Sequence, residues 1–274
     1  MTLQPTEHLY YTATTGHLFA AATVRFTKMR LPWYGMISLS LDPDPIQVIA
    51  DGRTFEGRAL AIHARNVKFI ASPTRYISVV ANPLHENFRA FTRLDPPILE
   101  LDREAFAGFD SMGEQAVSGA MSPEDAVALF DGIHALSRSL LPVSVLDERA
   151  DVLVKMLWEG PECSIEALAE RLGLSYYRTS HFFTHAVGIS LRSYQLWQKL
   201  YKSGPPLLEG ASLTEAAHAA GFVDSAHYAR AFQKAYGRAP SRMFRSRRVK
   251  VHYTKPVREA RAGFALGRRE KGAG

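Results

Sequence analysis

A single cysteine, Cys163, stands in 274 residues, so no disulfide can form within the chain, and such usage suits a reducing compartment. No run of ~18 uninterrupted apolar residues occurs, which removes a membrane-spanning helix from the expectation. The opening Met1-Thr2-Leu3-Gln4-Pro5-Thr6-Glu7 has no basic segment ahead of an apolar one. No secretory leader is therefore expected, and the expected location is cytoplasmic. With 46% hydrophobic residues, the chain still has the apolar material for a large core divided between two domains.

Net positive charge is missing from the first half. Residues 1–140 hold 12 Lys and Arg against 15 Asp and Glu, whereas residues 141–274 hold 21 against 12. Most of that excess sits in the tail from Ser246 onward, with 9 basic residues and 2 acidic ones. The stretch between is nearly balanced, so any attraction to phosphate there depends on where its charges are placed. The tail (Arg247, Arg248, Lys250, Lys255, Arg258, Arg261, Arg268, Arg269, Lys271) is either a solvated extension or a non-specific, salt-sensitive anchor to a polyanion.

The second half contains an internal repeat. Ser164-Ile165-Glu166-Ala167-Leu168-Ala169-Glu170-Arg171-Leu172-Gly173-Leu174 returns 48 residues later as Ser212-Leu213-Thr214-Glu215-Ala216-Ala217-His218-Ala219-Ala220-Gly221-Phe222. After one inserted residue the match resumes at an offset of 49, pairing Ser175 with Asp224, Phe183 with Phe232 and Gly188 with Gly237. Ser164 and Ser212 are good N-caps. Ile165, Leu168, Ala169 and Leu172 fall on one helical face, as do Leu213, Ala216, Ala217 and Ala220. Gly173 and Gly221 stand where a helix ends and a positive φ is needed. Ser175 and Asp224 cap second helices whose Phe182, Phe183, Tyr228 and Phe232 supply a buried side. Helix, glycine turn and helix make a helix-turn-helix, whose second helix enters the DNA major groove. One copy would be hard to tell from an ordinary helical hairpin; two with matching caps, turns and core positions point to DNA.

The region from about residue 16 to 105 reads differently. Thr23–Phe26, Met36–Leu41, Ile46–Ile49, Ala59–Ile62 and Tyr76–Val80 are short apolar or alternating runs separated by turn residues, as in a sandwich or small barrel. Asp51-Gly52 is a tight-hairpin signal. Ser122-Pro123-Glu124-Asp125 opens a helix that reaches Leu141 before Pro142, with Val127, Phe130, Ile133, His134, Leu136 and Leu140 on one face. That face packs on its own domain or pairs with a second subunit, and the expectation favours pairing. Another helix is expected from Asp147 to Trp158, ended by Gly160-Pro161.

Residues 145–246 resemble the AraC/XylS family of bacterial transcription regulators. The resemblance is carried by Leu168–Ser175, by Ala216–Phe232 and by the closing Gly237-Arg238-Ala239-Pro240-Ser241-Arg242-Met243-Phe244-Arg245. The β region looks like the cupin-like sensing or dimerisation domain of such regulators. The resemblance implies two helix-turn-helix units joined by a long central helix, with both recognition helices entering one face of DNA. By position it implies DNA contacts from Tyr177, Arg178, Ser180, His181 and Thr184 in the first recognition helix, and from Ala226, His227 and Arg230 in the second. Their chemistry agrees in part: Arg230 can grip guanine with two bonds, Ser180 and His181 can bond base edges or phosphate, and Ala226 can touch a thymine methyl. The joining helix should run from Leu191 to Leu208, yet Gly204-Pro205-Pro206 lies inside it. An interior proline costs ~3 kcal/mol or more, so a helix to about Ser203 and then a kink or break is expected.

Other clusters are weak. His181 and His185 have the spacing of a zinc pair but no third ligand. Cys163 reads as an ordinary loop cysteine rather than a reactive thiol. His63 and His85 stand alone, without the paired histidines and glutamate of metal-binding cupins. Trp33, Tyr34, Phe69, Tyr76 and Phe88 either line an apolar effector pocket or form core, and core is the expectation.

The combined expectation is an α+β chain. Residues 1–141 form a small β-barrel, cupin-like sensing or dimerisation domain with a following helix. Residues 142–246 form an all-α DNA-binding domain with helix-turn-helix units at 164–185 and 212–235, and residues 247–274 a basic tail. The protein is expected to be a non-enzymatic, sequence-specific transcriptional regulator without cofactor or metal. Its expected partners are double-stranded promoter DNA, a small-molecule effector, RNA polymerase if it is an activator, and a second copy of itself in a homodimer, with no membrane. The alternative is a ligand-independent regulator whose N-terminal domain only dimerises.

Overall fold

The computed structural model describes residues 7–13, 15–22, 31–63, 65, 67–70, 75–142, 148–159, 165–208, 210–237, 239–244 and 249–253. The expected strand Thr23–Phe26, the cap Ser164, Cys163 and most of the basic tail lie outside them.

Among the described residues ten strands make two sheets. They are β1 (Glu7–Ala13), β2 (Gly16–Ala21), β3 (Gly35–Ser40), β4 (Ile46–Ala50), β5 (Arg53–Gly57), β6 (Ala59–His63), β7 (Val67–Ile70), β8 (Tyr76–Ala81), β9 (Ile98–Glu100) and β10 (Val249–Tyr253). The larger sheet has the order β10-β1-β2-β8-β3-β6-β9 and the smaller the order β5-β4-β7. Asp51 (φ 48°) and Gly52 (φ 78°) make the tight turn between β4 and β5, as their dipeptide promised. Among the described residues the sheets share a core without closing into a ring, so the architecture is α+β with an open pair of sheets.

The larger sheet is covered on both faces, which explains why its central strands β3, β6 and β8 are buried at every position. Side chains alternate across a strand. Met36, Leu60, Ile62, Tyr76 and Val80 therefore pack toward Ile46, Val48, Ala50 and Val67 of the small sheet. Ile37, Leu39, Ala59, Ala61, Ile77 and Val79 pack in the second core, with Phe106, Ala116, Leu129, Phe130 and Ile133. The latter come from a 3-10 turn (Glu104–Phe109), α2 (Asp110–Ser118) and α3 (Pro123–Ser137). Two polar side chains inside the sheet, Ser38 and Ser78, satisfy each other at 2.7 Å.

Ser122 caps α3 by accepting the Asp125 N–H, with Pro123 in the first turn, as expected. Its core face is Ala126, Leu129, Phe130, Ile133, His134 and Ser137. That face lies on the protein's own sheet, where pairing with another subunit was the expectation. The short helix α1 (Phe88–Thr92) buries Phe91 in the same core. Trp33, Tyr34, Tyr76 and Phe88 are core residues.

The helical part comprises α4 (Glu148–Glu159), α5 (Ile165–Leu172), α6 (Tyr176–Val187), α7 (Leu191–Leu208), α8 (Leu213–Ala219), α9 (Ser225–Tyr236) and α10 (Pro240–Phe244). The expected break in α7 does not occur: the helix continues through Pro205 and Pro206 to Leu208. Both prolines fall in its last turn, and the bonds they cannot donate are those to carbonyls four residues back in the same helix. Gly204 also has no Cβ to meet the following proline ring, the contact that usually drives a residue before proline out of the helical region. After α10 the chain returns to the first sheet, where β10 lies parallel to β1 with Glu7 opposite Val249 and Tyr11 opposite Tyr253. This part of the tail is an edge strand rather than a loose extension.

Candidate nucleic-acid interface

The two repeat copies fold alike to the level of single hydrogen bonds. Gly173 (φ +62°) closes α5 while Leu174 donates its N–H to Ala169; Gly221 (φ +76°) follows α8 while Phe222 donates to Ala217, both at 2.9 Å. Glycine is the residue that adopts this conformation without a Cβ penalty. Ser175 then caps α6 by accepting from Arg178, and Asp224 caps α9 by accepting from His227 at 2.6 Å. That backbone donor is the main reason the Asp224 carboxyl is held below its usual range. Ser212 and Glu215 form a reciprocal capping box at the start of α8, with hydrogen bonds that also hold the Glu215 carboxyl low.

The buried sides correspond at the 49-residue offset: Thr179 with Tyr228, Phe183 with Phe232, Ala186 with Ala235. The opposite sides face solvent. In α6, Tyr177, Arg178, His181 and Thr184 are exposed and Ser180 is half-buried. In α9, Ala226, His227 and Arg230 are exposed. Tyr177, with 69% of its surface accessible, stacks loosely on His181 one turn on, ring centroids 4.2 Å apart. Thr184 donates its hydroxyl hydrogen to the Ser180 carbonyl at 2.9 Å, leaving only acceptor capacity outward. All eight residues named from the sequence thus lie on the two second helices, on or beside their uncovered sides. Gln233 and Tyr176 are exposed there too, and the sequence reading did not name them. The repeat could have found Gln233, which matches Thr184 at the same offset.

The long helix α7 ties the units together. It buries Leu191, Tyr194, Trp197, Leu200 and Ser203 along one stripe. Trp197 stacks with Trp158 of α4 at 5.5 Å, and Tyr194 donates to the Val154 carbonyl at 3.1 Å. Toward the second unit, Lys199 donates to the Gly221 carbonyl at 2.8 Å and stands 5.8 Å from the Phe222 ring centre. Ser203, fully buried, donates to the Leu200 carbonyl and lies 3.2 Å from the Tyr228 hydroxyl. Burial pushes that tyrosine up to about 12.

The end of α6 also meets the β-rich part. Gly188 (φ +85°) caps α6 and lies against Thr92 of α1. Beside this contact a cleft of about 520 Å³ is lined by Arg89, Thr92, Arg93, His185, Ala186 and Gly188. Among the described residues no group of three His, Cys, Asp or Glu side chains is gathered for a metal, and no helix is long and apolar enough to cross a membrane.

A β-rich part followed by paired helix-turn-helix units, each with an uncovered second helix, defines a DNA-binding regulator. Residues 168–246 match the family described as a helix-turn-helix domain. Among solved structures, ToxT from Vibrio cholerae O395 is similar at 12% identity, over 87% of this chain and 96% of that one, with a TM-score of 0.51. An apo variant of ToxT from Vibrio cholerae strain SCE256 reaches 0.52 at the same identity and coverage. Wild-type ToxT from that strain, bound to an unsaturated fatty acid, reaches 0.50 at 11% identity over 89% and 97%. At such identities the likeness is one of fold. No curated protein matches the chain.

Proposed function

We propose that the protein is a cytoplasmic, non-enzymatic transcriptional regulator that reads promoter DNA with α6 and α9 under control of its β-rich part. In this reading residues 142–246 are the DNA-binding domain, residues 1–141 sense or dimerise, and residues 247–274 form the tail. Tyr177, Arg178, Ser180, His181 and Thr184 contact one stretch of major groove, and Ala226, His227 and Arg230 contact the next, about 34 Å along. The observation that carries the proposal is the correspondence of exposed faces on α6 and α9 above buried faces that match at a fixed offset. Two helical hairpins packed for structure alone would have no reason to leave the same side bare twice. A homodimer would place two such pairs on a longer site, and RNA polymerase is the further partner if the protein activates.

The effector reading draws on the cleft between α1 and α6. Arg89 and Arg93 give it a positive lining, and one similar ToxT structure has an unsaturated fatty acid, a carboxylic acid, bound to it. A carboxylate there would touch the β-rich part and the end of a recognition helix together, the arrangement coupling requires. The ligand-independent reading is favoured by a different observation: Trp33, Tyr34, Tyr76 and Phe88, named for an apolar pocket, are closed in core. Thermal-shift titration with carboxylic acids of increasing chain length separates the two.

Genomic footprinting with the purified chain tests the main proposal, repeated with Arg230→Ala and His181→Ala. Each variant is expected to weaken binding at preferred sites by roughly 5- to 100-fold and to relax preference at its own base pair. Unchanged preference in both would remove the proposed base contacts.

A further inference from the structure

The residue that breaks the repeat is Val223. In the first unit Leu174 is followed directly by the cap Ser175, whereas in the second Phe222 and the cap Asp224 are separated by this one residue. Its neighbours are fixed: Phe222 is buried, with Lys199 over its ring and His227 edge-on at 5.4 Å, while Asp224 is engaged as a cap. Val223 itself keeps 80% of its surface exposed, more than any other large apolar side chain among the described residues. Scattered exposed apolar residues are ordinary on a protein surface. Here their placement is not scattered. Of the five large ones, Tyr176, Tyr177 and Val223 sit at the entrances of the two recognition helices, and Leu99 and Val152 lie elsewhere.

We infer that Val223 is a further specificity-determining residue, which reads the 5-methyl group of a thymine in the groove entered by α9. The inference rests on the DNA-binding reading above. The first residues of a recognition helix approach the base edges, and the inserted valine stands just ahead of them. Valine can neither donate nor accept a hydrogen bond, and the thymine methyl is the apolar feature that the major groove offers. Ala226, three residues further on and also exposed, extends the same apolar surface. The second unit thus combines a hydrogen-bonding reader, Arg230, with an apolar one, so its half-site should pair a guanine with a nearby thymine.

The experiment uses the full chain and begins with duplexes that the purified parent selects from a random-sequence pool. Thymines in the preferred duplex are replaced singly by uracil, which preserves the pairing edge and removes only the methyl. Affinities are then measured for the parent and for Val223→Ser, whose fold is checked by circular dichroism, with Val223→Ile as the conservative variant. At one position near the base pair that depends on Arg230, uracil is expected to cost the parent about four-fold, the equivalent of one buried methyl group. Val223→Ser should show no such penalty, and Val223→Ile should keep it. If no uracil position distinguishes parent from Val223→Ser, the inference is overturned while the DNA-binding reading stands. A Val223→Ser protein that keeps its uracil sensitivity but loses transcriptional output would assign the side chain to a protein partner and overturn it equally. A parent that enriches no sequence at all would fail the DNA-reading proposal itself.

Discussion

Gly188 and Thr92 approach so closely that a Cβ on the glycine would lie 2.1 Å from the threonine Oγ1 and 2.5 Å from its Cβ. The contact joins the end of the first recognition helix to α1 of the β-rich part. Gly188 also has a φ of +85°, so a substitution there is penalised twice. Gly173 offers the comparison, since its φ is +62° and nothing lies within 4 Å of its absent Cβ. Gly173→Ala should therefore cost about 1–2 kcal/mol from backbone strain alone. Gly188→Ala should cost more and displace α1 from α6, and Thr92→Gly should recover part of the excess. A double-mutant cycle on chemical unfolding measures the coupling; additivity within about 0.5 kcal/mol would mean the two residues do not press on each other.

The second prediction concerns the returning strand. His8 of β1 and His252 of β10 stack with ring centroids 5.5 Å apart and facing nitrogens at 3.3 Å, and the Tyr10 ring lies 4.3 Å from His252. Gly119, at the end of α2, closes over the His8 ring, and Lys250 shares the strand with His252. Burial lowers both histidines, and the charges of His252 and Lys250 lower His8 further. The folded state therefore binds fewer protons here than the unfolded chain. Attachment of β10 is at full strength above the ordinary imidazole value, about 6.5, and weakens as pH falls from there toward the lowered values. Protection of the amides of residues 249–253, exchange being corrected for its intrinsic pH dependence, should fall on acidification from pH 7 to 5 more than protection in β3. His252→Phe keeps the stack without the charge and should flatten that dependence; a dependence that survives it would acquit the histidine pair.

Strand β10 also shows where sequence reading ran out. Its pairing with β1 joins residues more than two hundred positions apart, and no local pattern in Val249–Tyr253 announces a partner. Strands β3, β6 and β8 were readable as apolar runs, but burial on both faces erases the alternation that tells a strand which way it faces. The face of α3 was misjudged in part: Val127 stood for Ala126, Leu129 and Ser137 were passed over, and Leu136 and Leu140 are only half-buried, because only the sheet beneath decides among neighbouring positions. The helix-turn-helix units were far more legible. Their caps, turn glycines and buried aromatics lie within about twenty residues of one another, and each appears twice. The groove-facing residues themselves came from the family resemblance, by position. In α7 the prolines misled because their local cost is set against the burial of the helix's whole apolar stripe, which a local pattern does not display.

Trp197 carries the third prediction. Its side chain is fully buried in α7, ringed by Trp158, Tyr194 and Tyr201, and its indole nitrogen has no hydrogen-bond partner. Trp197→Ala should destabilise the helical part by ~3–5 kcal/mol, because removal of so large a side chain leaves a cavity the neighbouring rings cannot fill. Trp197→Phe should cost distinctly less, since it also removes the unpaired donor. Urea unfolding followed by far-ultraviolet circular dichroism ranks the two. Equal losses would mean that neither the cavity volume nor the unpaired donor sets the cost at this site.

Acid stability should be governed in part by His134. The ring is buried beneath α3 against Phe130 at 4.5 Å and His85 at 4.2 Å, and neither of its nitrogens has a hydrogen-bond partner. Burial holds it well below the ordinary value, and His85 and Arg138 lower it further; burial lowers His85 to about 4. Both rings are therefore neutral in the folded protein at pH 7. The unfolded chain takes up protons below about 6.5 while the folded chain does not. Stability that is complete above that value is thus drawn down as pH falls through it toward the depressed values, and is not recovered below them. His134→Leu replaces a ring that makes no polar bond with an apolar side chain and should change stability little at pH 7. At pH 4 to 5 it should raise the unfolding midpoint relative to the parent, because one proton-binding site favouring the unfolded chain is gone. Paired urea titrations at pH 7 and pH 4.5 give the comparison. A variant whose loss or gain is the same at both values would show that protonation of this pocket does not drive acid unfolding.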